Sequence, residues 1–171
     1  MIHRIILIGP PGAGKSTIGK TLASELGWIF LDSDREIERK TGRKISEIFV
    51  EDGEAKFRQL ESGEVLRLLD KEVSITPIVL ALGGGAILDP IVYDRLLQEP
   101  GVIYLEVSIS NAAPRVGFNK ERPLLLGNPR QQWLSLFAAR KSKYEALAKF
   151  RFSTDNRKAR EVVADIRSAL A

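Results

Sequence analysis

The segment at positions 9–17, which reads GPPGAGKST, constrains the fold of this chain more than any other stretch. It matches the pattern G-x-x-x-x-G-K-[ST], a loop that holds phosphate groups in enzymes that use nucleoside triphosphates. A short apolar run at 5–8 precedes it and is typical of a buried parallel strand. Apolar residues recur at helical spacing over 18–26. The motif therefore stands at a strand-to-helix turn, where it predicts a nucleotide site in an α/β fold.

Each residue type in this loop has a chemical reason. Glycine lets the backbone approach phosphate oxygens without a Cβ in the way. The amides at the start of the following helix, together with the helix dipole, form an anion site. We expect Lys15 to reach the β- and γ-phosphates of ATP and the Ser16 hydroxyl to coordinate Mg²⁺. The predicted nucleotide-binding residues of the loop are Gly12, Ala13, Gly14, Lys15, Ser16 and Thr17.

Composition argues against several other classes of protein. The chain has 171 residues, which suggests one domain, and it contains no cysteine, which excludes disulfides and thiolate chemistry. Its single histidine, His3, argues against a histidine triad or a zinc site. The formal net charge of +4 fits small polyanions such as ATP better than nucleic acid, because the basic residues do not cluster. No apolar run suits a membrane span or a signal peptide, so we expect a cytoplasmic protein without nucleic-acid or membrane partners.

Strand-like and helical segments alternate along the whole chain. The predicted strands are 4–8, 28–31, 78–82, 102–105 and 150–153. The predicted helices are 15–26, 34–41, 44–52, 53–69, 90–98, 129–148 and 159–169. This alternation predicts a parallel sheet with helices on both faces and a ligand crevice at the carboxyl ends of the strands. Residues 33–61 form a charged helical excursion, and residues 110–128 are predicted to be a mobile loop.

Two carboxylates follow the second predicted strand, at the edge of the sheet where ligands bind. We expect Asp32 to belong to the Mg²⁺ shell and Asp34 to accept a proton from an attacking hydroxyl. The same pattern is typical of a helix start with Ser33 or Asp34 as the N-cap, and capping is compatible with function.

Arg58 and Glu61 are three residues apart on one predicted helix and can form a pair. By pattern alone this is a solvated ion pair, and the functional alternative is an arginine held rigid to grip a carboxylate. The next strand ends in Gly83, Gly84 and Gly85, where many phosphate-loop enzymes carry an acidic metal ligand. Three successive glycines favour the close approach of a small ligand over a simple turn.

Three further arginines can be interpreted either as solvent-exposed charges or as functional residues. Arg115 and Arg122 lie in the predicted mobile loop, where an arginine can neutralise charge on transferring phosphates or remain solvated. Arg140 lies in a long predicted helix, where a surface charge is the simpler interpretation. The apolar residues of that helix, Trp133 and Tyr144 among them, are predicted to belong to the core.

Taken in order, these segments resemble shikimate kinase. The resemblance covers nearly the whole chain and rests on GPPGAGKST at 9–17, DSD at 32–34, GEAKFRQLE at 53–61, GGG at 83–85, RPLL at 122–125 and RKSKYEALA at 140–148. It implies a three-layer P-loop kinase fold with a five-stranded parallel sheet in the order 2-3-1-4-5. It also implies a single domain over 1–171, with 33–61 as the substrate-binding segment and 110–128 as a lid.

The implied activity is transfer of the γ-phosphate of ATP to the 3-hydroxyl of shikimate, a step towards chorismate and the aromatic amino acids. The implied cofactor is Mg²⁺, near Ser16 and Asp32, and the implied oligomeric state is a monomer. The implied catalytic residues are Asp34, Lys15 and Arg122. The implied shikimate-binding residues are Asp34, Arg58, Glu61, Gly83, Gly84, Gly85, Arg140, Phe49 and Phe57. The implied nucleotide-binding residues outside the loop are Arg115, Arg122 and Arg157.

Other functions remain open at this point. A gluconate kinase of similar fold would also use Arg58 and Asp34, because gluconate is a polyhydroxy carboxylate, but the full order of motifs argues against it. A nucleoside monophosphate kinase would need a base-reading pocket, of which the sequence gives no sign. A nucleotide-dependent regulatory module belongs to a different class. The chain lacks the Asn-Lys-x-Asp guanine signature and keeps Lys15, Asp34 and the arginines, which argues against that class.

Overall fold

One parallel sheet organises the protein, whose computed structural model describes residues 1–73, 75–116 and 128–171. The strands follow the order β2-β3-β1-β4-β5 across the sheet. They are Arg4–Ile8 (β1), Ile29–Asp32 (β2), Ile78–Ala81 (β3), Val102–Glu106 (β4) and Phe150–Ser153 (β5). The predicted sheet and its strand order are confirmed.

Helices follow the strands and cover the sheet. Those within the described ranges are Lys15–Leu26 (α1), Ser33–Thr41 (α2), Ile45–Asp52 (α3), Glu54–Leu69 (α4), Pro90–Leu97 (α5), Ile109–Val116 (α6), Pro129–Leu147 (α7) and Ala159–Leu170 (α8). A 3₁₀ helix, Ala86–Leu88, follows β3. Every predicted helix and strand is confirmed to within one residue at each end. No helix in these ranges has the length and apolar content needed to cross a membrane.

The three-layer arrangement follows from alternation along the central strand. Ile5 and Leu7 face a core packed by α1 and α8, whereas Ile6 and Ile8 face a second core packed by α4, α5 and α7. All four side chains are buried, so β1 reads as a continuous apolar run rather than an alternating one. Both faces of the sheet are therefore covered, and its carboxyl-terminal edge is left for ligands.

The predicted mobile loop at 110–128 is wrong at its start, because Ile109–Val116 forms helix α6. The Ser108 hydroxyl and carbonyl accept from the Asn111 amide, and the Ser108 carbonyl also accepts from the Ala112 amide. Ala112 is fully buried and packs into the core beside α1. Tertiary packing thus outweighs the helix-breaking effect of Pro114. Residues 117–127 lie outside the described part of the chain.

Helices α2, α3 and α4 form a small subdomain with its own core of Ile37, Ile48 and Phe57. The buried Glu64 carboxylate of α4 binds Lys40 of α2 at 2.6 Å and also accepts from Arg67. These contacts fix α2 against α4. The subdomain therefore holds the predicted substrate residues of both helices in one rigid frame.

Candidate active site

A cavity of about 690 Å³ opens at the carboxyl ends of β1, β2 and β3. The phosphate loop after β1 forms one wall. The other walls are the start of α2, the start of α4, the glycines after β3 and Arg140 of α7. The cavity therefore brings together segments that are separated along the chain by more than a hundred residues.

The phosphate loop has the backbone geometry that its glycines predict. Gly12 and Gly14 have φ angles of 84° and 88°, in the left-handed region that favours glycine. Gly14 directly precedes α1, so the first amides of that helix face the loop. The Lys15 ammonium donates to the carbonyls of Gly9 at 2.7 Å and Pro10 at 3.0 Å, which holds its charge at the loop.

The Ser16 hydroxyl and the Asp32 carboxylate meet at the end of β2. The hydroxyl donates to Asp32 Oδ2 at 2.6 Å, and Oδ1 accepts from the amides of Asp34 and Arg35. Asp32 is therefore the N-cap of α2, and the predicted cap at Ser33 or Asp34 is wrong. The buried Ser33 hydroxyl accepts instead from the Gly83 amide at 3.0 Å, because β2 and β3 are neighbours.

Asp34, Glu61 and Arg58 converge on the glycines after β3. Arg58 Nη1 donates to Glu61 Oε1 at 2.6 Å. A Cβ added to Gly83 would lie 2.7 Å from Asp34 Oδ1 and 2.8 Å from Glu61 Oε2. A Cβ added to Gly85 would collide with the Arg58 guanidinium. These two glycines thus make room for the protein's own charged side chains, a reason that the sequence did not reveal.

Burial dominates the electrostatics of this cluster. It raises the pKa of Glu61 to about 7, while the nearby Arg58 and Arg140 oppose that rise and Asp34 adds to it. Arg140 is only 4% exposed, so its interpretation as a helix-surface charge is wrong. Two guanidinium groups and two carboxyl groups therefore share one partly desolvated site, as expected for a site that binds a small anion.

Two phenylalanines complete the wall of the cavity beside Arg58. The rings of Phe49 and Phe57 lie 4.7 Å apart between centroids, and both line the cavity. Arg58 Cζ lies 5.3 Å from the centroid of Phe57, within range of a cation–π contact. The aromatic pair therefore limits the directions in which the Arg58 fork can point.

The arginines predicted at the nucleotide differ in position. Arg115 lines the cavity and donates to the Gly12 carbonyl and to both the hydroxyl and carbonyl of Thr154, which ties the loop to the segment after β5. Arg157 pairs with Asp165 of α8 at 2.7 Å. Arg122 lies outside the described residues.

Two contacts with the backbone of the cavity come from residues that the sequence assigned to the core. The Trp133 indole donates to the Pro11 carbonyl at 2.8 Å, and the Tyr144 hydroxyl donates to the Gly84 carbonyl at 2.6 Å. Both side chains are buried, as predicted. Trp133 lies seven residues before Arg140, and Tyr144 lies four residues after it. This spacing puts the three side chains on one face of α7, and it is the sequence signal that could have predicted the two contacts. Glu38, four residues after Asp34 on α2, lines the cavity for the same reason.

Comparison with known proteins identifies the family. The family model described as shikimate kinase matches residues 11–171. The chain belongs to the shikimate kinase family. Shikimate kinase from Thermobifida fusca is 49% identical over 87% of this chain and 84% of the relative. Shikimate kinase from Rhodococcus erythropolis is 45% identical over 99% of this chain and 98% of the relative.

Solved structures agree with this assignment. Shikimate kinase from Acinetobacter baumannii, in complex with shikimate, superposes with a TM-score of 0.93 at 38% identity and covers 99% of this chain and 93% of that chain. A gluconokinase from Sinorhizobium meliloti superposes with a TM-score of 0.60 at 19% identity, which shows a shared fold alone. As a member of the shikimate kinase family, the protein is an ATP-dependent kinase, and the predicted enzyme class is confirmed.

Proposed function

We propose that this protein transfers the γ-phosphate of ATP to the 3-hydroxyl of shikimate, giving shikimate 3-phosphate and ADP. The observation that carries the proposal is the single cavity shared by the phosphate loop, Asp34, Arg58 and Arg140. A donor site for phosphates and an acceptor site for a hydroxylated carboxylate lie within one enclosure. Shikimate, with which the Acinetobacter baumannii enzyme forms its complex, has the chemistry that such an acceptor site requires.

On the acceptor side, Arg58 and Arg140 hold the shikimate carboxylate. A guanidinium fork matches a carboxylate in a bidentate pair, and burial strengthens the pair. Glu61 orients Arg58 through its 2.6 Å ion pair, while Phe49 and Phe57 wall the ring and Gly83, Gly84 and Gly85 form the floor. These contacts leave the hydroxylated side of the ring facing Asp34.

Asp34 is the catalytic base in this proposal. Its carboxylate accepts the proton of the 3-hydroxyl as that oxygen attacks the γ-phosphorus and the bond to the ADP oxygen breaks. Asp34 lies beside Gly83 and Glu61 in the charge cluster of the cavity, which supports its role as the base. Lys15 and Arg122 neutralise the charge on the transferring group.

The donor side supplies oxygen and amide ligands rather than a preformed metal cage. Within the described ranges, no group of three or more acidic, histidine or cysteine side chains forms a metal site. The Ser16 hydroxyl and Asp32 carboxylate, 2.6 Å apart beside the loop, are hard oxygen donors that fit Mg²⁺. When bound with ATP, the ion would neutralise phosphate charge. Gly12, Ala13, Gly14 and Thr17 would contact the phosphates, and Arg115 and Arg157 the adenine.

We further propose a cytoplasmic monomer, organised as one domain with a substrate-binding segment at 33–61 and a lid at 110–128, that takes small-molecule substrates. The use of ATP as phosphate donor supports the location. Both hydrophobic cores pack against the same sheet, which supports a single domain. Size-exclusion chromatography with light scattering tests the monomer, and a dimer mass would contradict it.

A coupled assay of ADP release tests the activity. The full chain is supplied with ATP, Mg²⁺ and one acceptor at a time from shikimate, gluconate and the nucleoside monophosphates. We expect release that depends on shikimate and falls to background with the other acceptors. A preference for gluconate would favour the rival kinase, and equal release without any acceptor would favour a regulatory hydrolase. Omission of Mg²⁺ with a chelator present should abolish turnover.

A further inference from the structure

Helix α7 contacts both halves of the cavity through side chains that the proposed chemistry does not use. At one end, the Trp133 indole donates to the Pro11 carbonyl in the phosphate loop at 2.8 Å. Eleven residues later, the Tyr144 hydroxyl donates to the Gly84 carbonyl in the acceptor floor at 2.6 Å. Both contacts reach backbone atoms, so they fix the path of a loop, and the Tyr144 hydroxyl also contacts the Arg140 guanidinium.

The two loop segments held in this way are neighbours. A Cβ added to Gly84 would lie 3.3 Å from Pro11 Cδ and 3.5 Å from the Gly9 carbonyl oxygen. The same Cβ would lie 3.4 Å from Arg140 Nη1, which comes from the middle of α7. The donor loop and the acceptor floor therefore meet at Gly84, beside the carboxylate-binding Arg140. Helix α7 supplies that arginine and contacts the other two segments.

Both contacts are built to be rigid. Tyr144 is fully buried and stacks on Tyr104 with centroids 5.3 Å apart, and Trp133 stacks on Phe137 with centroids 5.0 Å apart. Burial raises the pKa of Tyr144 to about 12, so the phenol stays protonated and donates throughout the physiological range. Loss of the donor would leave the partly buried Gly84 or Pro11 carbonyl without its hydrogen bond, which is costly.

Phosphoryl transfer depends on this spacing more than on any covalent step by the protein. An error of about 1 Å in the placement of reacting groups can cost about a hundredfold in rate. We propose that α7 sets the distance between the phosphate loop and the acceptor floor, with Trp133 and Tyr144 as positioning residues. The inference rests on the proposed transfer from ATP to shikimate, because it names the residues that align these two substrates.

The test removes the Tyr144 hydroxyl alone. In Tyr144→Phe, we expect kcat to fall on the order of tenfold, while the dissociation constant of ADP, measured by calorimetry, stays within about twofold. The dissociation constant of shikimate, measured in the same way, reports the loss of the Tyr144 contact with Arg140. The matched control is Tyr104→Phe, which removes a hydroxyl from the other ring of the same stack, and that hydroxyl makes no hydrogen bond to the described residues. We expect the control to keep the wild-type kcat. Thermal unfolding of both variants reports any shared loss of stability.

A double-mutant cycle with Trp133→Phe tests whether the two contacts act as one device. If both hold the same spacing, the double variant should lose little more kcat than the worse single variant. Multiplicative losses would overturn the shared role, as would an unchanged kcat in Tyr144→Phe or an equal loss in Tyr104→Phe. A wild-type chain that fails to phosphorylate shikimate would overturn the proposed function itself. A wild type that turns over normally beside an unaffected Tyr144→Phe would overturn only the role of α7.

Discussion

The donor and acceptor halves of the cavity are built in different ways. The phosphate loop is a single run of nine residues whose proposed ligands are mostly backbone amides, and its conformation depends on glycines at positive φ. The acceptor half takes Asp34 from α2, Arg58 and Glu61 from α4 and Arg140 from α7. Its proposed ligands are charged side chains, and burial raises the pKa of Glu61 among them to about 7.

This difference separates general from specific chemistry. A backbone cradle recognises phosphate in many enzymes, and it carries no information about the acceptor. The side-chain cluster can distinguish a carboxylate with hydroxyl groups from other acceptors, because buried charges without a matching partner are costly. Substitutions in the acceptor half should therefore change acceptor use and leave nucleotide binding intact.

The largest expected effect comes from the base. Asp34→Asn keeps the shape of the side chain but removes the proton acceptor, so kcat should fall on the order of a thousandfold. The dissociation constant of ADP, measured by calorimetry, should stay within about twofold of wild type because the phosphate loop is unchanged. Asp70→Asn, which removes a carboxylate from the exposed pair with Arg95, serves as the control for loss of charge. Normal turnover in Asp34→Asn would remove Asp34 from the mechanism.

A smaller effect is expected from the carboxylate clamp. Arg58→Ala should raise the KM for shikimate on the order of a hundredfold, since it removes one guanidinium and leaves the buried Glu61 carboxyl without its 2.6 Å partner. The KM for ATP should change little. Arg39→Ala, at an exposed position on α2, is the control. An unchanged shikimate KM in steady-state kinetics would contradict the clamp.

Gly85→Ala tests the space that the acceptor half needs. The added methyl group would displace the Arg58 guanidinium, so the KM for shikimate should rise about tenfold while ATP use is retained. Gly63→Ala lies on the same helix as Arg58 with nothing near the added Cβ. That control should stabilise the protein by about 0.5–1 kcal/mol in chemical denaturation without changing KM. Equal kinetics for both variants would refute a packing role for Gly85.

The pH dependence of stability tests the burial of Glu61. Its pKa of about 7 in the folded chain exceeds the value of 4.5 expected for the unfolded one. Between these values the folded state binds more protons, so the free energy of unfolding should fall as the pH rises. Relative to Glu61→Gln, the loss should reach about 3 kcal/mol near pH 7 and then level off. A stability difference that rises with pH in denaturant titrations would contradict the raised pKa.

The sequence predicted the fold well because the signals that determine it are local. Alternating strand and helix patterns and the glycine loop lie within short windows, so each predicted element was found to within one residue. Helix α6 was missed because its stability comes from Ala112 packing into the core and from Ser108, contacts that outweigh Pro114. The N-cap at Asp32 was missed because the Ser33 hydroxyl accepts instead from the Gly83 amide, fifty residues away.

The sequence predicted the types of residues in the acceptor half but not their arrangement. Arg140 looked like a helix-surface charge until the fold buried it, and Tyr144 looked like core filling until its hydroxyl reached Gly84. Both facts depend on the packing of α7 against Gly84, since helical spacing puts Arg140 and Tyr144 on one face of α7 but does not say what that face contacts. The roles of Gly83 and Gly85 were also hidden, because the groups that fill their missing side-chain space come from α2 and α4.

The most direct test of the account is the position of the new phosphate on the acceptor. The full chain is incubated with ATP, Mg²⁺ and shikimate, and the product is examined by correlated phosphorus–proton NMR. We expect one phosphate monoester whose phosphorus couples to the proton on carbon 3, formed in proportion to the ADP released. Inorganic phosphate without an ester, or an ester on another hydroxyl, would contradict the placement of Asp34 and the arginine clamp around shikimate.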